Sequence, residues 1–264
     1  MAAPKPGGKL RPVCIGLVIG TRPEAIKFAP VATALTGAGA SVHLYLTGQH
    51  PGLDPADHDL SGYPATPLGC VGRSDPLEHV DEVAAGLERH WRRDPPAMAM
   101  VQGDTSSALG GARACNALAL PLAHVEAGLR SFDSRSPWPE EQFRVEIDRI
   151  ADLLFAPTAT AAANLRRERC GGALHVTGNS GIDALLGEIG RMPKFRRRSR
   201  SRGPFKLLVT CHRRENWGDG LESLAKALIA LAGRGGMVID VVLHPTPQVA
   251  GAMWRLLSGA SSVG

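Results

Sequence analysis

Aromatic residues make up only 5% of this 264-residue chain, with 4 Trp, 2 Tyr and 6 Phe. A core short of large rings relies on close packing of small side chains, and 31 glycines suit helices laid tightly on a sheet. Long apolar runs are missing too. No stretch approaches the roughly 18 uncharged apolar residues that a membrane-crossing helix needs. The opening residues, MAAPKPGGKLRP, contain no apolar core and do not read as a secretory signal. Cysteine is scarce. Cys14, Cys70, Cys115, Cys170 and Cys211 are scattered with no CxxC pair, which excludes a zinc ribbon or disulfide framework and points to a reducing cytoplasm. Cys14 and Cys115 sit in apolar or helical settings and read as buried thiols. Two glycine signatures are also absent. Without a GxGxxG fingerprint or a P-loop, neither NAD binding nor NTP hydrolysis is expected.

What remains is ordinary globular composition, 44% hydrophobic and 21% charged. The net charge of +5 is local rather than general. Seven basic residues (Arg191, Lys194, Arg196, Arg197, Arg198, Arg200 and Arg202) crowd residues 191–202, and without them the rest carries a slight negative excess. Pro193, Ser199, Ser201, Gly203 and Pro204 surround them, so the run reads as a solvated linker rather than a nucleic-acid patch.

Either side of that linker, apolar runs alternate with helical patterns. Residues 13–19 form a continuous apolar run, typical of a strand buried on both faces. It ends at GTRPEAIK, where Thr21 and Glu24 have capping-box spacing and Pro23 suits a first helical turn. A glycine turn at a helix N-terminus is a ready anion site, with Arg22 and Lys27 to hand. Strands are expected at residues 42–46, 98–101, 120–125, 150–155 and 174–176. Residues 54–73 read as loop, and 76–92 as an amphipathic helix with Leu77, Val80, Val83, Ala84 and Leu87 on one face. Beyond the linker, strands at 206–210 and 238–243 alternate with helices at 221–233 and from 248. This βα alternation predicts parallel sheets.

The stretch 101–149 concentrates the ionisable groups. Asp104 follows one strand and has the place of an N-cap, with a helix after it in which Gly110 and Gly111 allow close approach to a sheet. Glu126 follows the next strand, and Glu140 and Glu141 open a helix at its positive end. Taken singly, Asp104 and Glu140 also fit simple caps, and Glu126 fits an ion pair with Arg130. Together, beside His124, three acids at the carboxyl edge of one sheet form a candidate site.

The blocks GTRPEAIK, TGQH, QGDT, HVEAGLR, SPWPEE, FAPT, VTGN and CHRREN follow in order. From about residue 13 to 247 the chain resembles the non-hydrolysing UDP-N-acetylglucosamine 2-epimerases of bacteria. The resemblance implies an α/β, glycosyltransferase-B-like fold: two doubly wound, Rossmann-like domains facing a cleft. Residues 1–190 would carry the acidic site, 191–204 the basic linker, and 205–264 the start of a nucleotide-binding domain. The family's DSGG and QEE loop is not found in these residues, so the second domain reads as incomplete.

The implied reaction interconverts UDP-N-acetylglucosamine and UDP-N-acetylmannosamine by eliminating UDP to a 2-acetamidoglucal and adding it back. By resemblance, Asp104, Glu126, Glu140 and His212 are catalytic. Arg22, Lys27, Gln49, Arg144, Arg213 and His244 bind substrate. His212 taken alone also fits a satisfied strand-end histidine. No cofactor or metal is implied. The expected partners are UDP-N-acetylglucosamine and a second copy in a homodimer, with no nucleic acid or membrane. Two departures stand out. The second polar residue that family members often carry near Gly52 is absent, which argues against the substrate-dependent activation some members show, and Phe143 stands where the family usually has Asn, removing polar reach near Glu140. A hydrolysing epimerase releasing N-acetylmannosamine, or an inactive sugar-nucleotide binder, are the rival readings.

Overall fold

The computed structural model describes residues 12–193, 203–211, 217–243 and 246–259. The chain divides into two compact units, residues 1–192 and 193–264. The first unit holds a seven-stranded parallel sheet in the order β3-β2-β1-β4-β5-β6-β7. Its strands are β1 (Cys14–Ile19), β2 (Ser41–Leu46), β3 (Ala65–Pro67), β4 (Met98–Gln102), β5 (Leu122–Val125), β6 (Leu153–Ala156) and β7 (Ala173–Val176). Strand order reverses between β1 and β4, the switch point at which open α/β sheets bind ligands. The interval 54–73, read as loop, contains a 3-10 turn at Pro55–His58 and the edge strand β3, which pairs with β2. Three residues rich in proline and threonine give too short a pattern to announce a strand.

Helices cover both faces. On one lie α2 (Pro76–Trp91), α3 (Ser106–Leu118), α4 (Glu140–Ile150) and α5 (Ala159–Arg167), which share one buried cluster with the sheet. On the other, α1 (Arg22–Gly37) packs Ala25, Phe28 and Ala32 over Leu17, Ile19 and Leu44. Helix α6 (Ser180–Arg191) runs against α1 with none of its residues buried, and Ile182, Leu185, Leu186 and Ile189 stay exposed. The buried side of α2 comprises His79, Val80, Val83, Ala84, Gly86, Leu87 and Trp91. Leu77, placed there by periodicity, is exposed because it lies in the first turn, outside the packed length. Gly111 faces the sheet, where an added Cβ would come within 2.8 Å of Val101. Gly110 instead faces α2, with Val83 at 2.7 Å and the Val80 carbonyl at 2.9 Å. Cys115 is buried as expected and Cys14 only partly so, while Cys70 is also buried.

The second unit, taken by itself, is a two-stranded parallel sheet of β8 (Phe205–Thr210) and β9 (Met237–Val242) with α7 (Asp219–Ala232) and α8 (Pro247–Leu257). Leu221, Leu228, Ile239, Val249 and Met253 form its core. Phe205, Leu208, Val238 and Val242 remain exposed on its strands. Among the described residues no helix is long and apolar enough to cross a membrane, and no His, Cys, Asp and Glu cluster could hold a metal.

Candidate active site

Glu24 dominates the loop after β1. Its carboxylate accepts from the Gly20 amide at 2.9 Å and the Thr21 amide at 2.7 Å, while Thr21 Oγ1 caps α1 in return. Thr105 Oγ1 donates to its other oxygen at 2.5 Å. Burial raises the Glu24 carboxyl above the ordinary 4.5, against the lowering effect of these donors. The capping box is therefore as expected. Amides at the helix start already serve an internal carboxylate. Arg22, exposed at that start, makes no ion pair among the described residues, and its charge helps burial lower the His50 imidazole.

The loop after β4 carries Gly103 in the left-handed region, φ +69°, followed by Asp104. The cap of α3 is Thr105, not Asp104: the Thr105 hydroxyl accepts from the Ala108 amide at 3.0 Å. A hydroxyl at that position relieves Asp104, whose carboxylate turns to the Arg144 guanidinium. Burial raises the Asp104 carboxyl above its usual range. Arg144 opposes the rise, while the negative charges of Glu126 and Glu140 add to it. That mutual influence puts all three predicted acids in one electrostatic neighbourhood.

Glu126 leaves β5 with φ +72°, a conformation side chains seldom adopt. Its pairing with Arg130 is not found. The Glu126 carboxylate instead accepts from Lys27 Nζ at 2.7 Å, from the Gln102 amide, and from Asn179 Nδ2 at 3.4 Å. Lys27 points from α1 across the switch point, so it meets a sheet-edge acid rather than standing free. Gln49 accepts from Ser107, from Oγ at 2.7 Å and the amide at 3.3 Å.

The two carboxylates opening α4 divide their roles. Glu141 is buried and accepts the Ser131 and Phe132 amides near 3.0 Å, so the structural reading falls on it. Glu140 Oε2 is buried with no hydrogen-bond partner among the described residues, as is Arg144 Nε. Phe143 is 3% exposed and belongs to the core beneath the helix.

Asp104, Glu126, Glu140, Arg144 and Lys27 are thus brought together, with Arg22 and Gln49 on adjacent loops of the same sheet edge. His212, Arg213 and His244 lie outside the described residues. Residues not singled out in the sequence also matter here. Gln102 and Asn179 hold Glu126, and both lay in motifs whose spacing could have flagged them. Asp148, buried under the edge, had no such signal, since an acid within EIDRIAD reads as helix surface.

Fold and site define a glycosyltransferase-B-like α/β protein with an acidic cluster at the switch-point edge of its larger sheet. Residues 34–263 match the UDP-N-acetylglucosamine 2-epimerase family, and the chain belongs to it. It is 34% identical to the UDP-N-acetylglucosamine 2-epimerase of Yersinia pestis and 33% identical to that of Escherichia coli K12. In each case the alignment covers 93% of this chain and 69% of the relative. The crystal structure of UDP-GlcNAc 2-epimerase from Neisseria meningitidis bound to UDP-GlcNAc superposes with a TM-score of 0.82 at 29% identity, over 95% of this chain and 71% of that one.

Proposed function

We propose that the chain interconverts UDP-N-acetylglucosamine and UDP-N-acetylmannosamine by elimination and re-addition of UDP. The observation that carries this reading is the meeting of Asp104, Glu126 and Glu140 at one sheet edge, with the Asp104 carboxyl raised by burial. Direct deprotonation at C2 of the sugar is unfavourable, because no carbonyl adjoins that carbon to delocalise the charge. Breaking the C1–O bond as C2–H is lost avoids the carbanion. The departing UDP takes the bonding pair, a carboxylate takes the proton, and a C1–C2 double bond forms. Protonation of the opposite face and attack by UDP at C1 then complete the inversion.

Asp104 suits the proton transfer, since a raised carboxyl is nearer the ideal for acid–base work at neutral pH. Glu126, fixed by Lys27 and Gln102, would sit against positive charge developing at C1, and Glu140 Oε2 is free for a sugar hydroxyl or the transferred proton. Arg22 would meet the diphosphate, and we assign His212 to the leaving group and Arg213 and His244 to substrate binding. The nucleotide is UDP, as in the relative whose structure holds UDP-GlcNAc. A homodimer in the cytoplasm, using neither nucleic acid nor membrane, completes the reading.

The test is incubation with UDP-N-acetylglucosamine in deuterated water, followed by NMR at C2. Deuterium at C2 together with UDP-N-acetylmannosamine is the expected result. Free N-acetylmannosamine would identify the hydrolysing reaction instead, and absence of exchange would leave an inactive binder.

A further inference from the structure

Under the acidic edge lies a second set of buried charges that the proposed reaction does not use. The side chains of His124 and Asp148 are 0% exposed and meet Nδ1 to Oδ1 at 2.7 Å. On its other side His124 Nε2 lies 2.8 Å from the Gly103 carbonyl. A carbonyl only accepts, so Nε2 must carry a proton. Asp148 is held as an acceptor as well. Its carboxyl takes the Gly128 amide at 3.1 Å and the Arg130 guanidinium at 2.8 Å. Although burial alone would raise it, hydrogen bonds and charge from His124 and Arg130 carry the Asp148 carboxyl below its usual value. With acceptors on both sides, both ring nitrogens donate. Arg130, 1% exposed, passes the chain on to Glu168 at 2.6 Å.

The placement of this pair relative to the site is specific. Gly103 adjoins Asp104, and its φ of +69° makes its carbonyl orientation a soft degree of freedom. Gly128 closes the turn that starts at Glu126. The pair therefore grips the loop of one acid through a carbonyl and the loop of the other through an amide.

We propose that the buried His124–Asp148 ion pair is a positioning device, with both ring nitrogens of His124 protonated, that sets Asp104 and Glu126 relative to each other. This rests on the reading of those two acids as the proton-transfer and charge-stabilising groups. Neither His124 nor Asp148 touches substrate. Each acts through the backbone of a neighbouring loop.

The test uses Asp148→Asn and His124→Gln in the full chain, with two readouts. In the first, ¹⁵N-histidine NMR of the free protein should show both ring N–H groups of His124, and ¹³C-carboxyl NMR should show the titration of Asp104 displaced in Asp148→Asn. A single ring proton, or an Asp104 titration unmoved by the substitution, overturns the proposal whether or not the chain is active. In the second, kcat for C2 exchange should fall by about 10- to 100-fold in Asp148→Asn, the range expected for a slightly misplaced catalytic group, while KM stays near the wild-type value. His124→Gln, which keeps one donor for Gly103, should retain more of kcat than His124→Ala. Equal loss across kcat and melting temperature, with no preference for Gln, would make the pair a structural staple and overturn the proposal. If wild-type protein itself exchanges nothing at C2, the functional reading fails, and the NMR readouts still decide whether the pair sets the two carboxylates.

Discussion

A carboxylate enclosed by protein is a residue-scale commitment, and Glu24 makes it most fully. Four donors meet it, yet its burial holds its carboxyl above the ordinary value. The folded state therefore keeps a proton that the unfolded chain releases near pH 4.5. Stability from this group is present below that pH and is lost as pH rises through the raised value. Glu24→Gln removes the titration while keeping the shape. Urea unfolding from pH 4 to pH 8 should show the wild type losing ground to the variant as pH rises, and a difference independent of pH would contradict the burial argument. At this scale the sequence revealed residue identities better than pairings. Thr21 and Glu24 were legible as a capping box because both partners lie within one helical turn. The partner of Lys27 is 99 positions away at Glu126, and no local pattern encodes such a contact.

At the scale of elements, the switch-point edge is made by helices pulled close to one another and to the sheet. Gly110 is the contact point of α3 with α2. Alanine there would gain roughly 1 kcal/mol of helix propensity. Against that, its Cβ would press on β-branched Val83 and on the Val80 carbonyl, a backbone atom with little room to yield. Overpacking of this kind costs about 1–3 kcal/mol, so Gly110→Ala should lower stability in chemical unfolding. Adding Val83→Ala to Gly110→Ala should restore part of the loss. Long elements were readable from periodicity because their apolar faces repeat. The strand β3 was not, since an edge strand of three residues with intermediate or exposed side chains carries no face to detect. Phe143 lies three residues after Glu140, so the helical period keeps the two on neighbouring positions of α4, and its side chain is buried in the core.

For the whole molecule, the two units differ in how completely they bury themselves. The larger has apolar clusters on both faces of seven strands. The smaller pairs two strands and leaves Phe205, Leu208 and Val238 exposed. A two-stranded sheet with two helices is marginal on its own. Residues 1–192 expressed alone should unfold in one cooperative calorimetric transition, and residues 193–264 alone should show none. A cooperative transition in the short piece would refute this account of its packing. The alternation of strands and helices made the parallel sheets legible. The strand order was not legible, because crossovers depend on packing between distant segments.

The left-handed backbone at Glu126 bears on how such a protein evolves. An L-residue held there costs about 1 kcal/mol relative to glycine. Glu126→Gly and Glu126→Ala both delete the carboxylate and its bonds to Lys27 and Gln102, but only glycine relaxes the strain. Glycine should thus be the more stable of the two by about that amount in thermal unfolding. Among replacements that lack the carboxylate, a library screened for heat resistance alone would therefore favour glycine at 126, whereas a lineage that retains glutamate there keeps the strained backbone together with the bonds to Lys27 and Gln102.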